Sequence, residues 1–180
     1  GEKHILSILE VFAEQGYEVN IFWDNNLSKE IKDRFSFRFI DQLNWLPNIF
    51  KHPSSFSTLK TLQTLKTFDY FFYVTDGSYF FSGAKNNYAF CMVPDKKLYN
   101  LNLLNRLKLW NYKFISNSPF TSKWLTKWGV SPITIPPYIE NNFYVDTKTK
   151  KQKIILSVGR FFSNLHSKTQ ALMNKTFTDL

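Results

Sequence analysis

Two short, uninterrupted apolar runs constrain the fold of this chain more than any other feature. The run Tyr70-Phe71-Phe72-Tyr73-Val74 ends at Thr75-Asp76-Gly77-Ser78, and the run from Tyr88 to Val93 ends at Pro94. Runs of this length without polar alternation are typical of strands that are buried on both faces of a parallel sheet. Because parallel strands need long crossover connections, usually helices, the chain is expected to alternate strands with helices.

Helical patterns do lie between the strand patterns. Apolar residues at helical spacing predict a helix over 2–15 that Gly16 ends, and a strand over 17–23 follows it. Further helices are predicted over 27–34, 55–66, 101–110 and 119–128, and further strands near 37–40, 112–115 and 133–135. The sequence therefore predicts an α/β fold, with a Rossmann-like doubly wound parallel sheet and helices on both faces.

The helix over 119–128 has the clearest local signals. Ser118 is a favoured N-cap residue, Pro119 suits the first helical position, and Gly129 suits the end. Phe120, Trp124 and Trp128 recur four residues apart, so we expect them to share one face and to pack in the core.

Composition divides the chain near residue 140. Residues 1–140 are predicted to form one domain, and the polar, lysine-rich residues 141–152 to form a linker. A strand pattern and then a helix pattern follow over 153–180, which predicts the first βα unit of a second Rossmann-like domain. The chain has no initiator methionine and no signal sequence, so we interpret it as an excerpt of a longer protein.

The net charge indicates what kind of partner the protein has, and the cysteine content indicates its compartment. With 23 basic and 14 acidic residues the net charge is +9, which favours an anionic partner such as a nucleotide, a nucleic acid or an acidic membrane surface. Only four of the basic residues are Arg, and a lysine-rich A/T-biased coding sequence explains the charge as well. Cys91 alone cannot form an internal disulfide, and no apolar stretch is long enough to span a membrane, so we expect a cytoplasmic protein.

Candidate chemistry is confined to loops that follow predicted strands, where open α/β sheets bind their ligands. The sequence has no Walker A loop, no G-x-S-x-G, no H-E-x-x-H and no Asp-x-Asp, so no metal site is expected. The most specific loop is Gly159-Arg160. Glycine allows a ligand to approach the backbone closely, Arg160 can bind phosphate oxygens in a bidentate way, and Lys168 adds a charge at a helix start. The loops at 24–25, 75–78 and 117–118 are also explained by ordinary turn chemistry.

Four segments of the chain form one further pattern. They are Gly1-Glu2-Lys3-His4 with the later Gly16-Tyr17-Glu18-Val19, the stretch from Phe114 to Leu125, Ile135-Pro136-Pro137-Tyr138-Ile139, and Leu156 to Phe162 with His166-Ser167-Lys168. In this order they resemble segments of family 4 of the glycosyltransferases, which are G-G-x-E with G-H-x-V, N-S-x-F-T-x-x-W, Y-P-P-V and the S-V-G-R-F start of the donor domain. Tyr17 stands where the family usually has histidine, and the spacing from Arg160 to Lys168 is longer than in many members.

The resemblance implies a GT-B fold, of which this chain is the N-terminal half plus the start of the second domain, with the first strand absent before Gly1. It implies that Gly159, Arg160 and Lys168 bind the donor diphosphate, and that Gly1, Glu2, Asp76 and Ser118 lie on the cleft or acceptor side. The family's catalytic E-x7-E carboxylates are not in this sequence, so no catalytic residue is assigned. His4 and His52 are expected at the surface.

The function implied is that of a retaining, metal-independent hexosyltransferase of glycan and cell-envelope biosynthesis. It would use no cofactor and would transfer a sugar from a nucleotide-sugar donor to a glycan or lipid-linked acceptor, without nucleic acid and with peripheral contact to an anionic membrane at its cytoplasmic face. The excerpt alone is expected to be inactive. Two alternatives stay open: a nucleotide-sugar epimerase of the same fold, and a basic module that binds RNA or a membrane surface.

Overall fold

A computed structural model describes residues 1–51, 55–99 and 101–139, without the side chains of 55–57. The predicted linker over 141–152 and the predicted domain start over 153–180 lie outside the described residues. The described helices are α1 (Glu2–Glu14), α2 (Ser28–Arg34), α3 (Ser55–Leu65), α4 (Leu103–Lys108) and α5 (Pro119–Lys127). The described strands are β1 (Asn20–Phe22), β2 (Asn44–Leu46), β3 (Tyr70–Val74), β4 (Asn86–Cys91), β5 (Tyr112–Ser116) and β6 (Pro132–Thr134).

All pairings between these strands are parallel. One sheet has the order β3-β4-β5-β6, with Phe72 opposite Tyr88 and Ile115 opposite Ile133. A second sheet pairs β1 with β2. The predicted α/β class with parallel strands is therefore confirmed, and the arrangement is compatible with a Rossmann-like fold.

The core is built around the middle strands of the larger sheet. Ala89, Phe90 and Cys91 of β4 are fully buried, and Ile115 of β5 lies beside them. A separate apolar cluster lies against α1, where Leu6 packs with residues of the 37–43 segment. The buried part of the apolar run is Ala89 to Cys91, in a strand that has a neighbour on each side, whereas Tyr88 is half-buried.

The predicted strand near 37–40 is wrong. Residues Phe39–Gln42 form a short 3-10 helix, and the strand that pairs with β1 comes later, at Asn44–Leu46. Consecutive residues of a strand point to opposite faces, but Phe39 and Ile40 are both buried in the same cluster against α1. A tight turn lets two neighbouring apolar side chains reach one core, and this outweighs their strand propensity.

The predicted core face of α5 is wrong for Phe120 and Trp124 but right for Trp128, which is half-buried and packs against the core cluster around Leu125. Its cap is as expected, because the Ser118 side chain accepts a hydrogen bond from the Thr121 N–H and Gly129 has a φ of +83°. Phe120, however, is 64% exposed, and Trp124 is 37% exposed. The buried face instead carries Thr121 and Leu125, one position further along the helix.

The strand β3 forms as predicted but is not buried on both faces. Only Phe71 is buried, Tyr70, Phe72 and Tyr73 are half-buried, and Val74 is 42% exposed. The reason is its position, because β3 is the edge strand of its sheet in the described part of the chain.

Helix α3 offers a matched test of this packing. Leu65 is fully buried, whereas Leu59 on the same helix is 64% exposed. We expect Leu65→Ala to lower the free energy of unfolding by about 2–5 kcal/mol, since it leaves a cavity in the core. Leu59→Ala should change it by less than about 0.5 kcal/mol. Urea denaturation of both variants measures the difference, and similar losses would contradict the packing.

Candidate functional site

Two of the polar loops predicted to carry chemistry, at 75–78 and 117–118, follow parallel strands that lie on either side of β4. Asp76 comes just after β3, Met92 follows β4, and Asn117 and Ser118 follow β5. Because β3, β4 and β5 are parallel and adjacent, these loops all lie at the edge of the sheet formed by the strand carboxyl ends. This is the edge at which open parallel sheets bind ligands, and we call it the carboxyl edge.

The start of α1 also lies at this edge. A Cβ atom added to Gly1 would come 3.2 Å from the Met92 Cε atom, and the Asn117 side-chain amide donates a 2.8 Å hydrogen bond to the Met92 carbonyl. The loop after β4 therefore contacts both the first residue of the chain and the residue that precedes Ser118. Gly1 and Asn117, which are far apart in the sequence, therefore both lie next to Met92.

The hydrogen bonds of the Ser118 side chain are made at the start of α5. Its Oγ accepts a 3.2 Å hydrogen bond from the Thr121 N–H, and it lies 3.1 Å from the Thr121 hydroxyl and 3.3 Å from the Asn117 Oδ1. The side chain thus caps α5 and orients the first turn of that helix toward the carboxyl edge. Such a residue acts on a ligand by positioning the helix start rather than as a nucleophile.

Asp76 is the most strongly organised acidic group at the carboxyl edge. Its carboxylate accepts a 2.6 Å hydrogen bond from the Tyr73 hydroxyl, a 3.0 Å bond from the Ser78 N–H and a further bond from the Ser78 hydroxyl. Partial burial opposes ionisation, but the bonds from Ser78 and Tyr73 outweigh it, so the pKa of Asp76 lies below its ordinary value. Burial raises the pKa of Tyr73, and the bond to Asp76 raises it further. Asp76 is therefore a fixed, ionised acceptor at neutral pH.

The structure gathers some of the predicted site residues and leaves others apart. Gly1 lies next to Met92, and so does Asn117, the residue before Ser118. Asp76 lies at the same edge one strand away, because the Thr75 N–H bonds to the Phe90 carbonyl of β4. The Glu2 side chain is 83% exposed at the start of α1. Gly159, Arg160 and Lys168 lie outside the described residues, so their predicted role at a diphosphate stays a prediction.

His4 is a residue that sequence reasoning placed wrongly at the surface. It is only 6% exposed, and its ring packs edge-on against Phe90 with 4.8 Å between the ring centroids. Neither ring nitrogen has a hydrogen-bond partner among the described residues, and burial, with the nearby amino terminus, lowers its pKa. The imidazole is therefore neutral at pH 7. Its position four residues before Ile8, on the apolar side of α1, is the signal that would have found it.

Cys91 lies in the same region but is shielded. It is fully buried, and burial raises the pKa of its thiol to about 12. A thiol that stays protonated at neutral pH is a poor nucleophile, so Cys91 belongs to the core rather than to the site.

Two further features are absent from the part of the chain that the structure describes. Nowhere in that part do three or more His, Cys, Asp or Glu side chains lie close enough together to hold a metal ion. None of the helices in that part combines the length and apolar character needed to cross a bilayer. Comparisons of the chain with protein-family models, with curated proteins and with solved structures find no match.

The hydrogen bonds on Asp76 give a test by titration. Its carboxyl signal, followed by NMR, should titrate below the ordinary value of 3.8. The stabilisation that this group gives the fold is present above that pH and is lost as the pH falls through the lower folded-state pKa. Tyr73→Phe should raise the midpoint because it removes one donor, whereas Tyr88→Phe, at a tyrosine that stacks on Phe72, should leave it unchanged. Equal midpoints in both variants would show that Tyr73 does not hold Asp76.

Proposed function

We propose that this chain contains the acceptor-side half, and the start of the donor-side half, of a retaining, metal-independent glycosyltransferase that resembles family 4. In this proposal the described unit is the first of two Rossmann-like domains of a GT-B fold. One observation carries it. The segments similar to G-G-x-E and to N-S-x-F-T-x-x-W are more than 100 residues apart in the sequence, yet both meet the loop at Met92 on the carboxyl edge.

The chemistry assigns different tasks to the two halves. In the donor half, Arg160 and Lys168 would hold the diphosphate, and Gly159 would let it approach the backbone. The bond from the sugar to the diphosphate breaks, the sugar joins an acceptor hydroxyl on the same face, and that hydroxyl loses its proton. Cationic side chains stabilise the negative charge that grows on the leaving diphosphate.

The acceptor half would contribute acceptors and orientation. Asp76 is ionised and partly exposed at the carboxyl edge, so it can accept hydrogen bonds from sugar hydroxyls. The exposed Glu2 carboxylate stands at the start of α1, while Ser118 fixes the start of α5. A nucleotide-sugar epimerase of the same fold would use the same donor groups, and it is distinguished by releasing the altered sugar without an acceptor.

A second surface supports membrane contact, which a lipid-linked acceptor would require. Leu103, Leu104 and Leu107 on α4 are 78%, 55% and 54% exposed, and Trp110 just beyond is 79% exposed. Arg106 and Lys108 lie in the last turn of the same helix. Exposed apolar side chains interleaved with basic residues suit an anionic bilayer surface, so we place the enzyme at the cytoplasmic face of a membrane.

The donor site is tested in the full-length protein. We expect one of UDP, GDP or ADP to bind in calorimetry, and Arg160→Ala with Lys168→Ala to weaken that binding at least about tenfold and to lower sugar transfer about a hundredfold or more. The control pair, Lys148→Ala with Lys150→Ala, removes the same charge and should change neither. Unchanged affinity in the first pair would refute the assignment, as would strong, salt-dependent RNA binding by a protein that binds no nucleoside diphosphate.

The membrane surface is tested by co-sedimentation with vesicles of phosphatidylglycerol and phosphatidylcholine. Leu103→Ser with Trp110→Ser should lower binding at least about tenfold, because two large side chains no longer enter the bilayer surface. Val11→Ser, at a half-exposed valine of α1, is the control and should bind as the original protein does. Equal binding by all three proteins would remove this surface from the proposal.

A further inference from the structure

A cavity of about 1080 Å³ is lined by residues of α1, β1 and β3 and by the loops that follow β1, β2 and β3. Its volume is slightly above the range of roughly 300–1,000 Å³ that ligand pockets occupy. Most of its wall is apolar, but the indole of Trp23, the amide of Asn48 and the carboxylate of Asp76 line it as well. Each of these three residues stands just beyond the end of a strand.

The ring of Trp23 offers an unoccupied aromatic surface. Trp23 is 49% exposed, and its indole makes no ring contact, cation contact or hydrogen bond with any residue that the structure describes. Other tryptophans are already in use. Trp45 and Trp128 pack against apolar clusters, and the Lys127 ammonium covers the Trp124 ring at 4.5 Å from its centroid. Trp23 is therefore free to stack on a ligand in the cavity.

Asn48 is held close to Trp23. The carboxylate of Asp24, the residue after Trp23, accepts a 2.9 Å hydrogen bond from the Asn48 backbone N–H and forms an ion pair with Lys51. The Asn48 Oδ1 accepts a 3.0 Å hydrogen bond from the Phe50 N–H, which fixes the orientation of the amide. Its Nδ2 donates to none of the described residues, so this donor is left for a ligand.

One carboxylate oxygen of Asp76 is left for a ligand in the same way. The Tyr73 hydroxyl, the Ser78 N–H and the Ser78 hydroxyl all donate to Oδ1, so Oδ2 has no donor within the described part of the chain. The Phe80 ring connects this loop to the one after β2, because its centroid lies 4.9 Å from that of Tyr73 and 4.6 Å from that of Phe50. The two loops are therefore packed together beside the cavity.

These groups match the surface of a sugar ring. A pyranose has apolar C–H faces that stack on an aromatic ring, and it has hydroxyls around its edge that both donate and accept hydrogen bonds. An acyl chain in the same place would exclude water from the Asn48 Nδ2 and the Asp76 Oδ2 without pairing them, which costs free energy. A phosphate would be repelled by the Asp76 carboxylate.

We propose that Trp23 and Asn48 form a subsite for an uncharged sugar ring, and that Asp76 accepts hydrogen bonds from the same saccharide on the β3 side of the cavity. Neither Trp23 nor Asn48 belongs to the segments that resemble family 4. That the saccharide is the acceptor rests on the proposed function, whereas the binding of a sugar at Trp23 does not. The acceptor hydroxyl then belongs to a saccharide, which includes a lipid-linked glycan and excludes a bare lipid.

Titration of the full-length protein with maltose, cellobiose, mannobiose and N,N′-diacetylchitobiose, followed by saturation-transfer NMR, tests the subsite. At least one of the four should bind, and Trp23→Ala should weaken that binding at least about tenfold because the stacking face is lost. Trp23→Phe keeps an aromatic face and should stay within about threefold of the original affinity. Trp124→Ala is the control and should change nothing. Binding of none of the four, or equal affinity in Trp23→Ala and the original protein, would overturn the proposal.

Asn48→Asp tests the second group without removing the aromatic ring. It keeps an oxygen for the Phe50 N–H but replaces the free donor by an acceptor, so it should weaken the same binding at least about fivefold. Unchanged affinity would remove Asn48 from the subsite and overturn the proposal as stated. Because this variant retains Trp23, it also decides the case if Trp23→Ala does not fold.

The outcome separates the subsite from the proposed function. If sugar transfer is measured, Trp23→Ala should raise the KM for a saccharide acceptor and leave the KM for the donor unchanged. Saccharide binding that depends on Trp23 in a protein that binds no nucleoside diphosphate would support the subsite and contradict the transferase. Transfer to a saccharide with the same acceptor KM in Trp23→Ala would support the transferase and overturn the subsite.

Discussion

Parallel pairing of the strands is the constraint on which the rest of the structure depends. Each strand must bond its backbone groups to a neighbour that runs the same way, so β3, β4, β5 and β6 all end at one edge. Residues that follow different strands thereby become neighbours, as Asn117 and the backbone of Met92 do. The same rule makes an unpaired interior strand costly, because its carbonyl and N–H groups need partners wherever water is excluded.

The sequence predicts correctly the features that depend only on residues close together in the chain. The apolar runs predicted β3 and β4 to within two residues, and Ser118 with Pro119 predicted the start of α5, because capping is settled within one turn. The faces of elements were harder to predict. Phe120 and Trp124 have the spacing of a core face, but the sheet and the neighbouring loops bury Thr121 and Leu125 instead. Which stripe of a helix is buried depends on partners that are distant in the sequence.

The candidate site likewise has some features that the sequence predicts and others that it does not. Asp76 and Ser118 were predicted at strand ends, because a polar turn after an apolar run marks that position. The bond from Tyr73 to Asp76 was not predicted, since in the sequence Tyr73 is one more apolar residue of its strand. The burial of His4 was missed because it depends on Phe90, a residue of another element. Arg160 and Lys168 lie outside the described residues, so their role still rests on the resemblance.

The carboxyl edge differs in character from the apolar cavity of about 1080 Å³ that α1, β1 and β3 line, although the two adjoin at Asp76 and Ser78. Ligand sites generally place a few convergent polar groups against apolar walls. The cavity instead presents mainly apolar side chains of β1, β3 and α1. Asp76, Gly1 and the start of α5 stand beyond the strand ends, where side chains and helix starts are free to meet a ligand.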